Sequence, residues 1–243
     1  MNEPTLPSPH LEIIGRTSSH FTRVATLIAH ELGVPFTLIP VRDLMSSAPA
    51  TFAGNPALKI PVLRITAPDA TGTAAHSTLL FGVTNIARKL VELATESTEA
   101  NAASQWALAP ITWPESLRDD LTRNAHELVS HGMSAQVQLV VACRGLAPES
   151  DTVPRDEVYL AKVRGGLEGS LAWLDAHLVD LLARLPTRRT SLFEVMLFCL
   201  VEHIAFRATL PLAPYAQLTR FAADFARRPA AEQTRYRQPK APA

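Results

Sequence analysis

Chemistry in this chain has to come from a few short stretches. RTSSH (16–20) places Ser18 and Ser19 between an apolar run and an amphipathic one, where a serine hydroxyl is a preferred helix cap. HELVSH (126–131) sets two histidines around an acid, as a zinc site might. Zinc-protease chemistry needs histidines four apart on one helical face, and these are five apart, so His126 and His131 read as surface helix residues. Glu202 and His203 fall in a strongly apolar run and read as a satisfied core pair. Cys143 and Cys199 each lie in an apolar helical run, which suits reduced, buried thiols in a cytoplasm better than a disulfide framework. No phosphate loop, Gly-x-Gly-x-x-Gly, Cys-x-x-Cys or Gly-x-Ser-x-Gly occurs, so neither a metal nor a nucleotide is expected.

The stretch NPALKIPVLRI (55–65) raises a different question. Pro61 stands at the mouth of an apolar run that otherwise reads as a strand. A proline donates no ladder hydrogen bond, which confines it to an edge, a first residue or a bulge. The elements around it follow from periodicity. LEIIG (11–15) reads as a buried strand, and Phe21, Val24, Ile28 and Leu32 recur at helical spacing until Gly33 and Pro35. FTLIPV (36–41), VLRI (62–65) and STLLFG (77–82) read as strands, residues 42–54 as loop or irregular helix, and 67–76 as a turn-rich loop. From about Thr84 a helix places Ile86, Leu90 and Leu93 on one face. The order βαβ, loop, ββα requires a parallel first pair and an antiparallel last pair.

TESTEANAASQ (95–105) is small, polar and aperiodic, and reads as a linker. Beyond it the pattern is helical: 117–142, then a leucine stripe from Leu160 through Leu185. SLFE (191–194) opens a buried helix with a capping box, and YAQLTRFAADFARRP forms a last helix that Pro229 stops. The domains are therefore expected at 10–94 and 106–236. The proline-rich ends, 1–9 and 237–243, read as disordered.

Length and charge exclude several classes. The 243 residues suffice for one large domain or two small ones, and 23 basic residues balance 23 acidic ones, which gives no electrostatic case for nucleic acid or an anionic membrane. The N-terminal MNEPTLPSPHLEI has neither a basic start nor a long apolar core, so no signal peptide is expected. The apolar run 192–206 is too short to span a bilayer and carries Glu194, Glu202 and His203.

A thioredoxin-like α/β domain followed by an all-α domain resembles the cytosolic glutathione transferases, of the serine-using type. Four stretches carry the resemblance in the right order: 13–36, NPALKIPVL, SLFE and YAQLTRFAADFARRPAAEQTRY. The resemblance implies that Pro61 is the family's cis-proline, turning the backbone of Ile60 outward to pair with a bound peptide as an added strand would. It implies that Ser19, with nearby amides, favours the thiolate of glutathione and that Ser18 is among the glutathione-binding residues; the bland reading of either serine is a cap. Lys59 would meet the glycine carboxylate or sit in water, and Arg16 has the same two readings. No Cys or Tyr occurs in RTSSHF, which argues against thiol-redox chemistry.

One junction departs from the family. Its members carry an acid and a serine at the strand-to-helix step within LLFGVTNIARKL (79–90), where this chain has Gly82 and Val83. Val83 and Thr84, with the helix amides, and Asn85 would stand in for them. A charge-assisted hydrogen bond contributes about 1.5–3 kcal/mol, so losing one or two weakens binding by about tenfold to several thousandfold. The family further implies a hydrophobic substrate pocket with its wall near 113–141, and the apolar 133–146 would line it, a dimer interface or plain core.

The function expected is conjugation of glutathione, as co-substrate, to a small hydrophobic electrophile, a detoxification chemistry with no further cofactor, in a cytoplasmic homodimer. The alternative is a non-catalytic relative that binds an apolar ligand or a protein partner.

Overall fold

A computed structural model of the chain describes residues 9–68, 75–100, 111–144, 157–186 and 190–238. It divides into two compact units: the first 108 residues joined by those from Gln233 onward, and Ala109–Glu232.

The first unit is a four-stranded sheet with helices. Its elements are β1 (His10–Gly15), α1 (His20–Glu31), β2 (Thr37–Pro40), β3 (Val62–Pro68), β4 (Ala75–Phe81) and α2 (Val83–Ala100). The strand order is β2-β1-β3-β4, with β1 and β2 parallel and the other pairs antiparallel. Pro40 therefore ends an edge strand, where its missing N–H breaks no ladder. Ile13, Val24, Leu27, Ile28, Leu63, Ile86 and Leu90 are fully buried, so the helical spacing of the sequence and the alternation of the strands feed one core. Ile14, Val41, Phe52 and Val62 make a second cluster, on which Leu58 and Ile60 pack. Glu12 and Arg64 face each other in register and pair at 2.7 Å.

The second unit is helical: α3 (Asp120–Arg144), α4 (Glu157–Arg184), α5 (Leu192–Arg207), α6 (Ala216–Phe225) and α7 (Pro229–Gln233). α5 is buried nearly all round, and its start is fixed by a capping box: Ser191 Oγ accepts from Glu194 N at 3.0 Å while Ser191 N donates to Glu194 Oε2 at 3.0 Å. The leucine stripe of α4 is fully buried from Leu167 to Leu181, whereas Leu160 and Val163 are half-buried. Among the described residues no helix is long and apolar enough to cross a membrane.

Several sequence readings change. The expected linker starts too early, because α2 continues through Ala100; Thr95 Oγ1 donates back to the Val91 carbonyl at 2.8 Å, and exposed small polar residues suit that turn. Residues 101–105 lie outside the described residues, as do 1–8 and 239–243. Pro229 does not stop a helix. α6 already ends at Phe225, and Pro229 opens α7, where a missing N–H costs nothing. Arg237 is ordered by bonds at its main-chain atoms: its N–H donates to the Thr17 carbonyl at 3.4 Å, and the Thr17 hydroxyl, Oγ1, donates to its carbonyl at 3.2 Å. His131 is exposed beside Glu127, at 3.0 Å, but His126 is half-buried, and burial pushes its imidazole below the ordinary value.

His203 is satisfied by a residue other than Glu202. The buried Gln136 bonds His203 Nδ1 through Nε2 at 3.1 Å and accepts from Thr209 Oγ1 through Oε1 at 2.8 Å. The amide thus joins α3 to the end of α5. Gln136→Leu should destabilise the chain by about 2–3 kcal/mol, because it removes this partner from a buried imidazole. Urea denaturation checks this, and a loss below about 0.5 kcal/mol would show the network to be dispensable.

Candidate functional site

The two antiparallel ladders put Ile14, Val62 and Phe81 side by side across three strands. β1 and β4 leave the sheet beyond this row and β3 enters there. Three segments therefore emerge from one end of the sheet: Arg16–Ser19, Lys59–Pro61 and Gly82–Asn85. Adjacent strands lie about 4.8 Å apart, so the row from β1 to β4 is roughly 10 Å wide, near the length of an extended tripeptide. α1 and α2 both begin at this end, and their first amides contribute positive potential there.

The first segment is shaped by Gly15. A Cβ on this residue would lie 2.5 Å from Thr22 Cγ2, so only glycine lets β1 pass the first turn of α1 so closely. Arg16 N then donates to Thr22 Oγ1 at 3.2 Å, and Ser19 N to the Arg16 carbonyl at 3.0 Å. Ser19 is the N-cap of α1, its Oγ accepting from Thr22 N at 3.3 Å. That bond uses an oxygen lone pair and leaves the hydroxyl hydrogen unspent. Ser19 is half-buried; Ser18 is only 3% exposed and is the more enclosed of the two.

The second segment is held by Asn55, a residue that pattern reasoning passed over. Its side chain is buried, with Nδ2 donating to the Lys59 carbonyl at 2.8 Å and Oδ1 accepting from Ala57 N at 3.0 Å. Leu58 N closes the turn on the Asn55 carbonyl at 3.0 Å, and Leu58 itself has φ of 53°. This knot sets the approach to the Ile60–Pro61 peptide, which is cis. Ile60 precedes the first residue of the β3 ladder and is half-buried, Pro61 is buried, and Lys59 points to solvent. A sequence signal for Asn55 existed in the Asn-Pro start of the loop, a turn-initiating pair whose side chain bonds two residues ahead.

The third segment starts α2. Gly82 has φ of 85°, a backbone that favours glycine, and its carbonyl accepts from Ile86 N at 3.1 Å. Val83 is 9% exposed and Thr84 half-buried, while Asn85 is exposed with Nδ2 donating to the Phe81 carbonyl at 3.1 Å. No carboxylate belongs to any of the three segments. Among the described residues no group of His, Cys, Asp and Glu side chains could hold a metal ion.

Loss of the Asn55 side chain should free the loop before β3. Asn55→Ala is expected to cost about 2–3 kcal/mol through two buried hydrogen bonds, and to raise amide exchange at 57–60 more than in α1. Equal protection at 57–60 in the parent chain and the variant would refute this account of the loop.

Residues 18–93 match the family described as glutathione S-transferase, N-terminal domain. No curated protein matches the sequence. Among solved structures, the chain is similar to a glutathione S-transferase from Methylobacterium radiotolerans in complex with glutathione sulfonate, at 20% identity and a TM-score of 0.66, covering 96% of this chain and 99% of that one. A glutathione S-transferase from Methylobacillus flagellatus with glutathione bound matches at 20% identity and 0.64, covering 93% and 98%. A glutathione transferase family member from Pseudomonas fluorescens with bound S-(propanoic acid)-glutathione matches at 20% and 0.63, covering 93% and 98%.

Proposed function

We propose that this chain, a member of the glutathione transferase superfamily by its N-terminal domain and its fold, binds glutathione across the Ile14–Val62–Phe81 row and transfers its thiolate to a small hydrophobic electrophile. The observation that carries this reading is the convergence of three segments at one sheet end, with a serine hydroxyl whose hydrogen its cap bond does not use. The solved relatives that hold glutathione or a derivative support the ligand class.

In this reading the backbone of Ile60 pairs with the cysteinyl unit, and Ser18 and the amides of α1 surround its sulfur. Lys59 meets the glycine carboxylate. The thiol gives its proton to solvent, and Ser19 donates to the resulting sulfur anion, in a field already made positive by the helix start. The sulfur lone pair then forms the bond to carbon as the leaving group departs with its electron pair. At the γ-glutamyl end, Val83 and Thr84 offer the amides of the first turn of α2.

A non-catalytic reading, with an apolar ligand or a protein as the partner, is favoured by one observation. Gly82 and Val83 give the γ-glutamyl end neither a carboxylate for the amine nor a hydroxyl at the first helical position, and Thr84 brings the nearest hydroxyl one residue on. Soluble cytoplasmic residence and a homodimer complete the proposal.

Ser19→Gly separates capping from catalysis, since glycine keeps most of the cap but has no hydroxyl. We expect kcat/KM with a chlorinated nitrobenzene to fall about tenfold to a hundredfold while stability drops by only a few tenths of a kcal/mol. Unchanged turnover would leave Ser19 a cap alone.

Val83→Ser should tighten glutathione binding by about tenfold in calorimetric titration, because the new hydroxyl sits at the first residue of α2. Gly82→Glu is the poorer test, as φ of 85° strains any residue with a Cβ. An affinity that does not move would show that the γ-glutamyl end is not held at this junction.

A further inference from the structure

We infer, on the functional reading proposed above, that Thr22 is a positioning residue, holding Ser19 Oγ where its hydroxyl meets the sulfur of glutathione. Thr22 lies in the first turn of α1 and is 1% exposed, so it acts through Ser19 and touches no ligand itself.

Three hydrogen bonds close a ring at the end of β1. Arg16 N donates to Thr22 Oγ1 at 3.2 Å, Thr22 N donates to Ser19 Oγ at 3.3 Å, and Ser19 N donates to the Arg16 carbonyl at 3.0 Å. Each of the three residues gives one backbone N–H to this ring and supplies one acceptor. Two of the acceptors are side-chain oxygens. One is the Ser19 hydroxyl, which the proposed chemistry uses. The other is the Thr22 hydroxyl, which ties the cap to the strand.

Thr22 is shaped for this link. Its oxygen accepts from a residue six positions earlier, outside the helix. Thr26, on the same helix, follows the ordinary local pattern instead and donates to the Arg23 carbonyl at 3.2 Å. Two heavy branches at Cβ restrict the χ1 of a threonine. Both branches here come against Gly15, where a Cβ would lie 2.5 Å from Thr22 Cγ2 and 2.6 Å from Oγ1. Gly15 is held in turn by its carbonyl, which accepts from Val41 N at 2.8 Å. The close pass of β1 therefore sets the direction of Thr22 Oγ1, and Oγ1 sets the Arg16 amide. A hydrogen bond weakens steeply as its angle closes, so the donor to a sulfur anion has to be held in one direction. Without the Thr22 oxygen the Arg16 amide loses this acceptor, segment 16–19 gains freedom, and the Ser19 hydroxyl meets the sulfur for less of the time.

Titration of bound glutathione, followed by the ultraviolet absorbance of its thiolate, tests this. Thr22→Val keeps the branched shape and the other two bonds of the ring. In this variant the thiolate should form about one pH unit higher than in the parent chain, and kcat/KM below neutral pH should fall about tenfold. KM for glutathione should change by less than about threefold, because the substitution leaves the Ile60 backbone as it is. Thr22→Ser keeps the oxygen and should hold kcat/KM within about threefold of the parent value. A role in stability alone would lower the urea midpoint of Thr22→Val and leave its pH profile in place.

A Thr22→Val profile that coincides with the parent one, or a Thr22→Ser profile displaced as far as that of Thr22→Val, would overturn the inference. Amide exchange in the parent chain tests the ring without any variant. The Arg16 N–H should be protected as well as the amides inside α1, and free exchange there would also overturn it. No thiolate signal from the parent chain at any pH would remove the functional reading itself, and the role of Thr22 with it.

Discussion

The register of β3 governs the candidate site. β3 is antiparallel to both its neighbours, so its beginning lies against the ends of β1 and β4, and Val62 stands between Ile14 and Phe81. Side chains in a strand alternate with a period of two, and a slip of one residue would turn Val62 and Arg64 together to the other face. Two features resist that slip. Leu63 is fully buried on one side and Val62 in the Phe52 cluster on the other, while Arg64 pairs with Glu12 at 2.7 Å. With the register fixed, the loop held by Asn55 must deliver Ile60 and Pro61 to the same end from which both helices start. The site is a consequence of topology before it is a consequence of any side chain.

Much of that topology was legible because it depends on local periodicity. Val24 and Ile28, or Ile86 and Leu90, announce one buried helical face each, and Ser191 with Glu194 announces where α5 must begin. The failures share a cause. Thr95 and Glu96 look like linker residues because their composition is polar, yet an exposed helical turn tolerates the same residues. Pro229 looks like a stop, since proline ends helices and begins them, and only the geometry of Phe225–Arg228 decides which. Glu202 looked like the partner of His203 because it is adjacent in sequence, whereas adjacent residues on a helix do not face each other and Gln136 lies across the interface between helices.

The candidate residues were legible as types and positions, but their surroundings were not. Ser19 is visible as a serine before a helix; that its cap bond leaves the hydroxyl hydrogen unspent is a matter of geometry. The turn made by Asn55 could have been read from the Asn-Pro pair, but its bond to the Lys59 carbonyl could not. Contacts between residues 220 apart in sequence, such as Thr17 with Arg237, have no local signature at all.

Ser19 and Gly82 show how backbone demands and ligand demands compete at the same helix starts. At α1 one hydroxyl has the capacity for both, since capping an amide uses a lone pair and stabilising an anion would use the hydrogen. At α2 the two demands part. The turn out of β4 takes φ of 85° at the residue before the helix, and glycine is the residue that accepts this without strain. Val83 is then largely buried at the first helical position, where an apolar side chain contributes to the core and a hydroxyl would contribute to a ligand. The first residue of α2 thus serves packing, and the half-buried Thr84 carries the first hydroxyl of the helix. In the proposed function a ligand at this end would meet the helix field, which favours an anion without distinguishing one carboxylate from another. Under the proposed function, discrimination among ligands should come mainly from what they place beside Ser19 and Ile60.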